Sequence, residues 1–157
     1  MNHKPAPKKL RIAILDDHPM TRDGIVCWIA GEPDMEICWE ADSAEAGLAA
    51  ALECPPDLIV ADISLRGKSG LEFVRDVHAA LPFVPVLVLS MHEEKIYAGP
   101  ALRAGAHGYI MKHEGGAKLL GAIRSALGGK FRPDEQRPNP ATTRTLCSPD
   151  HIVVPVG

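Results

Sequence analysis

The sequence predicts an α/β fold: a five-stranded, doubly wound parallel sheet with helices on both faces. Three observations predict it. Short β-branched or aliphatic runs alternate along the chain with longer stretches of helical spacing. Several of those runs are apolar at consecutive positions, as strands buried on both faces are. Aromatic residues make up only 4% of a chain that is 46% hydrophobic, so aliphatic side chains must fill the core. At 157 residues the chain is long enough to bury such a core within one domain.

The elements follow in order. The first apolar run, Leu10–Leu15, is followed directly by Asp16 and Asp17. The second, Met35–Trp39, leads to Ser43, an N-cap for an Ala-rich helix with Glu45 and Ala46 in its first turn. The third, Leu58–Ala61, is followed by Asp62, and the next helix carries Leu71, Val74, Val77 and Leu81 on one stripe. The fourth, Val84–Leu89, is followed by Ser90 and by a helical stretch containing Gly99–Pro100. The fifth, Gly108–Met111, is followed by Lys112, then by a helix with Leu119, Leu120, Ile123 and Leu127 on one stripe. Gly70, Gly116 and Gly128–Gly129 punctuate helix ends. Strands and helices in this alternation connect by right-handed crossovers.

Charge is unevenly spread. Three lysines give residues 1–9 a charge of +3, and residues 130–157 carry +1, which leaves −7 on residues 10–129 out of the net −3. An acidic centre argues against a nucleic-acid grip by that region and leaves room for a cluster that holds a cation. Residues 1–9 read as a basic tail, residues 10–129 as the folded domain, and residues 130–157 as a linker or disordered tail. The last segment holds five of the fourteen prolines and no sustained periodicity. Its one apolar run, Ile152 to Val154, lies between Pro149 and Pro155. No run approaches a membrane span, and MNHKPAPKKL lacks the apolar core of a secretion signal, so a cytoplasmic location is expected. The four cysteines, Cys27, Cys38, Cys54 and Cys147, have no zinc-ligand spacing. They are expected as free thiols, with Cys27 and Cys38 packed as small hydrophobes.

Parallel doubly wound sheets place their ligand sites at the carboxyl ends of the strands. Four of those ends here deliver three acids, a hydroxyl and an ammonium: Asp16 and Asp17, Asp62, Ser90 and Lys112. Taken singly, each has an ordinary explanation as a cap, a turn residue or a solvated flank. Together they form a coherent chemistry. Crowded carboxylates repel one another unless a cation intervenes, and Mg²⁺ takes carboxylate, phosphate and water oxygens. One acid can then attack phosphorus as a nucleophile, while the metal, Lys112 and the Ser90 hydroxyl hold the transferring oxygens.

The stretches ILDDHP, IVADISLRGKSGLEFV, VPVLVLSMH and ALRAGAHGYIMK resemble the receiver domain of two-component response regulators, nearest to the NarL/FixJ class. The likeness covers about Leu10 to Gly128. It implies a flavodoxin-like sheet of strand order 2-1-3-4-5, phosphorylation of Asp62 by a histidine kinase, and a Mg²⁺ ion. Asp17 would ligate the ion directly and Asp16 through water, with Asp62 and the backbone carbonyl of Ser64 completing the protein's share. Ser90 and Lys112 would hold the phosphoryl oxygens, Tyr109 would be the switch aromatic, and His18 would shape the loop rather than bind metal. Pairing of two copies through a helix face accompanies phosphorylation in such proteins.

Three features depart from that pattern. Arg66 stands where many receivers have proline, Gly99–Pro100 falls inside the fourth helix, and no helix-turn-helix sequence follows residue 129. The expected output is therefore a phosphorylation-dependent change of the receiver surface read by another protein, with direct DNA binding by this chain disfavoured. A fragment of a longer NarL/FixJ-type regulator and a degenerate receiver acting by contact alone are the alternatives. A phosphatase of the haloacid-dehalogenase type would also use an Asp nucleophile, Mg²⁺ and a Lys. It needs a second Asp where this chain has Ser64, so enzymatic turnover is not expected.

Overall fold

Alternation of strand and helix holds along the whole domain. A computed structural model describes residues 8–65, 69–91, 94–128 and 152–153. Its elements are β1 (Leu10–Leu15), α1 (Pro19–Ala30), β2 (Met35–Ala41), α2 (Ala44–Glu53), β3 (Leu58–Asp62), α3 (Gly70–Ala80), β4 (Val86–Ser90), α4 (Glu94–Ala104), β5 (Gly108–Met111), α5 (Gly116–Leu127) and β6 (Ile152–Val153). All strand pairs are parallel, and β1 to β5 lie in the order 2-1-3-4-5 expected of this fold.

The pleat divides the core in two. Ile12 and Ile14 point to the face covered by Ile25 and Ile29 of α1 and by Leu119, Ile123 and Leu127 of α5. Ala13 and Leu15 point to the other face, covered by Ala50 and Ala51 of α2, Phe73, Val74 and Val77 of α3, and Ala101 and Ala104 of α4. Small residues at Ala13, Ala50, Ala51, Ala101 and Ala104 let the second layer sit close to the sheet around Phe73 and Trp39.

Local chemistry sets the boundaries. The Ser43 and Ser69 hydroxyls accept the backbone N–H groups of Ala46 and Glu72, each at 3.2 Å, which caps α2 and α3. Gly70 and Gly116 are the first residues of their helices, and Gly128 caps the end of α5. Pro19 opens α1 where its missing N–H costs nothing. Pro100, by contrast, lies well inside α4, as the sequence predicts. There it deletes the N–H that would bond the carbonyl of residue 96.

Two expectations change. Within the stretch read as a linker or disordered tail, Ile152 and Val153 form β6, pairing with Trp39 and Glu40 of β2 as a sixth strand. The rest of residues 130–157, residues 1–7 and Arg66 lie outside the described residues. Of the cysteines, Cys38 is buried with its thiol pushed up to about 12 by that burial, as a packed hydrophobe should be. Cys27 is exposed on α1 rather than packed, and Cys54 is disulfide-bonded rather than free. Cys147 lies outside the described residues. No described helix is long and apolar enough to cross a membrane.

Candidate functional site

The carboxyl ends of β1, β3, β4 and β5 converge as the sequence predicts. Asp62 is the last residue of β3 and Ser90 the last of β4, each one position inside the strand rather than just after it. Asp62 pairs in register with Leu89, Ser90 with Met111, and Lys112 follows β5 at once, so parallel pairing alone aligns the three.

Asp16 and Asp62 are both 1% exposed. Lys112 Nζ stands 3.1 Å from Asp62 Oδ2 and 3.1 Å from Asp16 Oδ2, so one ammonium ties the two carboxylates together. The Ser64 backbone N–H donates to Asp62 Oδ1 at 2.9 Å, fixing the other oxygen of the acid. Burial holds the Asp16 carboxyl above the usual carboxylate value, and the neighbouring Asp62 pushes the same way. The His18 backbone N–H and Lys112 work against that rise without cancelling it. Removal from water is thus the main cause of the rise, and the second acid adds to it.

Asp17 is half-buried, and its carboxylate joins those of Asp16 and Asp62 in a cluster to which His18 also belongs. One donor atom from each of the four residues lies within 4.8 Å of the others. An oxygen-rich, over-charged set of this kind fits a hard divalent cation such as Mg²⁺. Ser90 is fully buried beside it, and Ser64 is exposed. Tyr109, on β5 opposite Val88, is half-buried and packs against the α2–α4 side of the core.

Three contributions to the site escaped the sequence reading. Arg22 of α1 donates to the Asp16 carbonyl at 2.9 Å and lies 3.3 Å from the buried Glu40 at the end of β2, tying the loop after β1 to the neighbouring strand. Of the two acids in β2, Glu36 and Glu40, the latter was the available signal. Gly70 approaches the phosphosite backbone so closely that a Cβ there would meet the Asp62 carbonyl oxygen and Ile63 Cα at 2.5 Å each. Helical spacing marks it only as a helix end. The His18 ring reaches the three carboxylates instead of only shaping the loop.

Comparison with known proteins agrees with this fold. Residues 12–124 match the response regulator receiver domain. The transcriptional regulatory protein DegU of Brevibacillus brevis is 33% identical over 132 residues, 83% of this chain and 56% of that protein. The nitrate/nitrite response regulator NarL of Escherichia coli is 34% identical over 132 residues, 83% of this chain and 58% of that protein. The chain thus spans little more than half the length of the curated relatives it matches. Among solved structures, a LuxR-family two-component response regulator from Aurantimonas superposes with a TM-score of 0.74 at 32% identity, covering 81% of this chain and 92% of that one. The signal receiver domain of a NarL protein from Mycobacterium tuberculosis gives 0.75 at 27% identity, covering 79% and 100%.

Proposed function

The chain belongs to the response regulator receiver domain family, and on that premise we propose that Asp62 accepts a phosphoryl group from a partner histidine kinase. One observation carries the reading. The buried Asp62 carboxylate has both oxygens positioned, one by Lys112 and one by the Ser64 N–H, beside two further acids.

In the transfer, a carboxylate oxygen of Asp62 forms a bond to phosphorus as the bond from phosphorus to the donor's imidazole nitrogen breaks, its electron pair leaving with the donor. Lys112, already on Asp62 Oδ2, neutralises charge on the incoming phosphoryl oxygens, and the Ser90 hydroxyl donates to them. Mg²⁺, held by Asp16, Asp17, Asp62 and the Ser64 carbonyl, would supply further charge neutralisation. Arg22 keeps the Asp16 backbone in place while this happens. Tyr109, on the strand next to Ser90, turns inward as Ser90 engages the phosphoryl group, and the surface around β5 changes for a protein partner or a second copy. The protein is the substrate of its own chemistry rather than a turnover enzyme, and a cytoplasmic location accompanies this role.

A small-molecule phosphodonor with Mg²⁺ should add about 80 Da to the intact chain. Asp62→Ala should prevent it; labelling that persists in that variant removes Asp62 as the acceptor. A second reading, the receiver part of a longer NarL-type transcriptional regulator, is favoured by the 56% coverage of the transcriptional regulatory protein DegU. The mass of the protein as made by its own cells decides it.

A further inference from the structure

We propose that His18 is a further ligand of the cation site, beside Asp16, Asp17, Asp62 and the Ser64 carbonyl, and that its ring extends the site's range from Mg²⁺ to cations that favour nitrogen, Co²⁺ and Zn²⁺ among them. The inference rests on the cluster being a divalent-cation site and adds a residue to it. His18 Nδ1 lies 2.9 Å from Asp17 Oδ1, 3.1 Å from Asp16 Oδ1 and 3.4 Å from Asp62 Oδ2. Ligands that share one metal at ~2.0–2.2 Å stand roughly 3 Å apart at adjacent positions. The spacings to Asp17 and Asp16 match that value, and the one to Asp62 is slightly longer.

The placement is built in. The His18 backbone N–H donates to Asp16 Oδ1 at 2.8 Å, and the residue is held extended, φ −99° and ψ 106°, immediately before Pro19 opens α1. The ring therefore leaves the backbone at a fixed point beside the carboxylates. With 57% of its side chain exposed, it can adjust to a metal without disturbing the core.

An imidazole nitrogen discriminates between cations. It adds little for Mg²⁺, which prefers oxygen, and much for later first-row metals, whose affinity for nitrogen rises along the series. Loss of the ring should therefore separate the two classes.

The test uses the full chain and its His18→Ala variant, with Co²⁺ followed by visible absorption and Mg²⁺ by calorimetry. Only Co²⁺ displaced by excess Mg²⁺ is counted as bound at this site. The variant should bind Co²⁺ about tenfold more weakly, with its absorption bands shifted, while its Mg²⁺ affinity changes by less than about twofold. Equal Co²⁺ affinity in the two proteins overturns the proposal. So does an equal loss for both cations, because His18 would then be holding the loop and not the metal. Failure of the unaltered chain to bind Mg²⁺ would strike the underlying site reading instead, so the two failures are distinguishable.

Discussion

Asp57 and Asp62 flank the same strand, are both buried, and are treated in opposite ways. Asp57, just ahead of β3, accepts the Arg11 backbone N–H at 2.7 Å and returns its own N–H to the Arg11 carbonyl at 2.7 Å. One backbone donor on Oδ2, answered by the Asp57 N–H on the same residue's carbonyl, makes a clamp between β1 and β3. Asp62, at the far end, shares its space with Asp16 and Asp17, and Lys112 must serve two acids at once. One end of the strand spends its acid on holding the sheet together; the other keeps an excess of charge that a ligand can relieve.

The sharpest way to break this contrast is to remove each acid in turn. Asp62→Ala should lose all phosphoryl labelling by intact mass while its melting temperature stays level or rises, since a like charge has gone. Asp57→Ala should keep its labelling yet lose about 1–3 kcal/mol in urea unfolding, because the Arg11 N–H is left buried without its acceptor. Abolished labelling in a folded Asp57→Ala protein would erase the distinction.

Glycines sharpen the same comparison on a smaller scale. Gly70→Ala should cost on the order of 1–3 kcal/mol and slow labelling, because the new methyl overlaps the Asp62 backbone. Gly24→Ala, in α1 where nothing lies within 4 Å, should instead stabilise by about 0.5–1 kcal/mol. Away from the site, Ser43→Ala should remove about 1 kcal/mol of capping with labelling unchanged; chemical denaturation and mass spectrometry together check all three.

The smallest effect concerns pH. Partial burial, reinforced by the nearby His78, holds His107 below its ordinary 6.5. The folded protein therefore takes up that proton less readily than the unfolded chain. The contribution to stability is complete above about 6.5 and is lost as pH falls through 6.5 toward the lower folded value. His107→Gln should flatten that acid-side slope in denaturation measured at about pH 7.5 and about pH 5.5.

Much of this was legible because parallel strands announce themselves twice, once by their apolar runs and once by the polar residue at each carboxyl end. Asp16, Asp62, Ser90 and Lys112 each end such a run, so topology converted position in the chain into proximity. Other features leave no comparable trace. β6 is two residues long between prolines, too short for a periodicity, and its pairing with Trp39 and Glu40 is set by the open edge of β2. The role of Gly70 depends on a close approach between backbones, which no pattern of side chains records. Cys27 has the same apolar character whether it faces the core or solvent, and only the turn of α1 decides. Pro100 is the opposite case: its position inside a helix was readable, and the helix forms around it all the same.

The missing side chain of Gly116 has an optical consequence. A Cβ there would lie 2.6 Å from the Trp28 ring, so the glycine lets the indole of α1 rest directly on the first turn of α5, four residues beyond Lys112. Trp28 is 39% exposed, whereas Trp39 is sealed in the core with its ring N–H on the Cys54 carbonyl. The two indoles thus emit from different surroundings, one dry, the other at the boundary with solvent, lining a pocket that Lys112 also lines. Filling the acid pocket with Mg²⁺ should therefore shift the red edge of emission, where Trp28 contributes, against a steady signal from Trp39, with no label added.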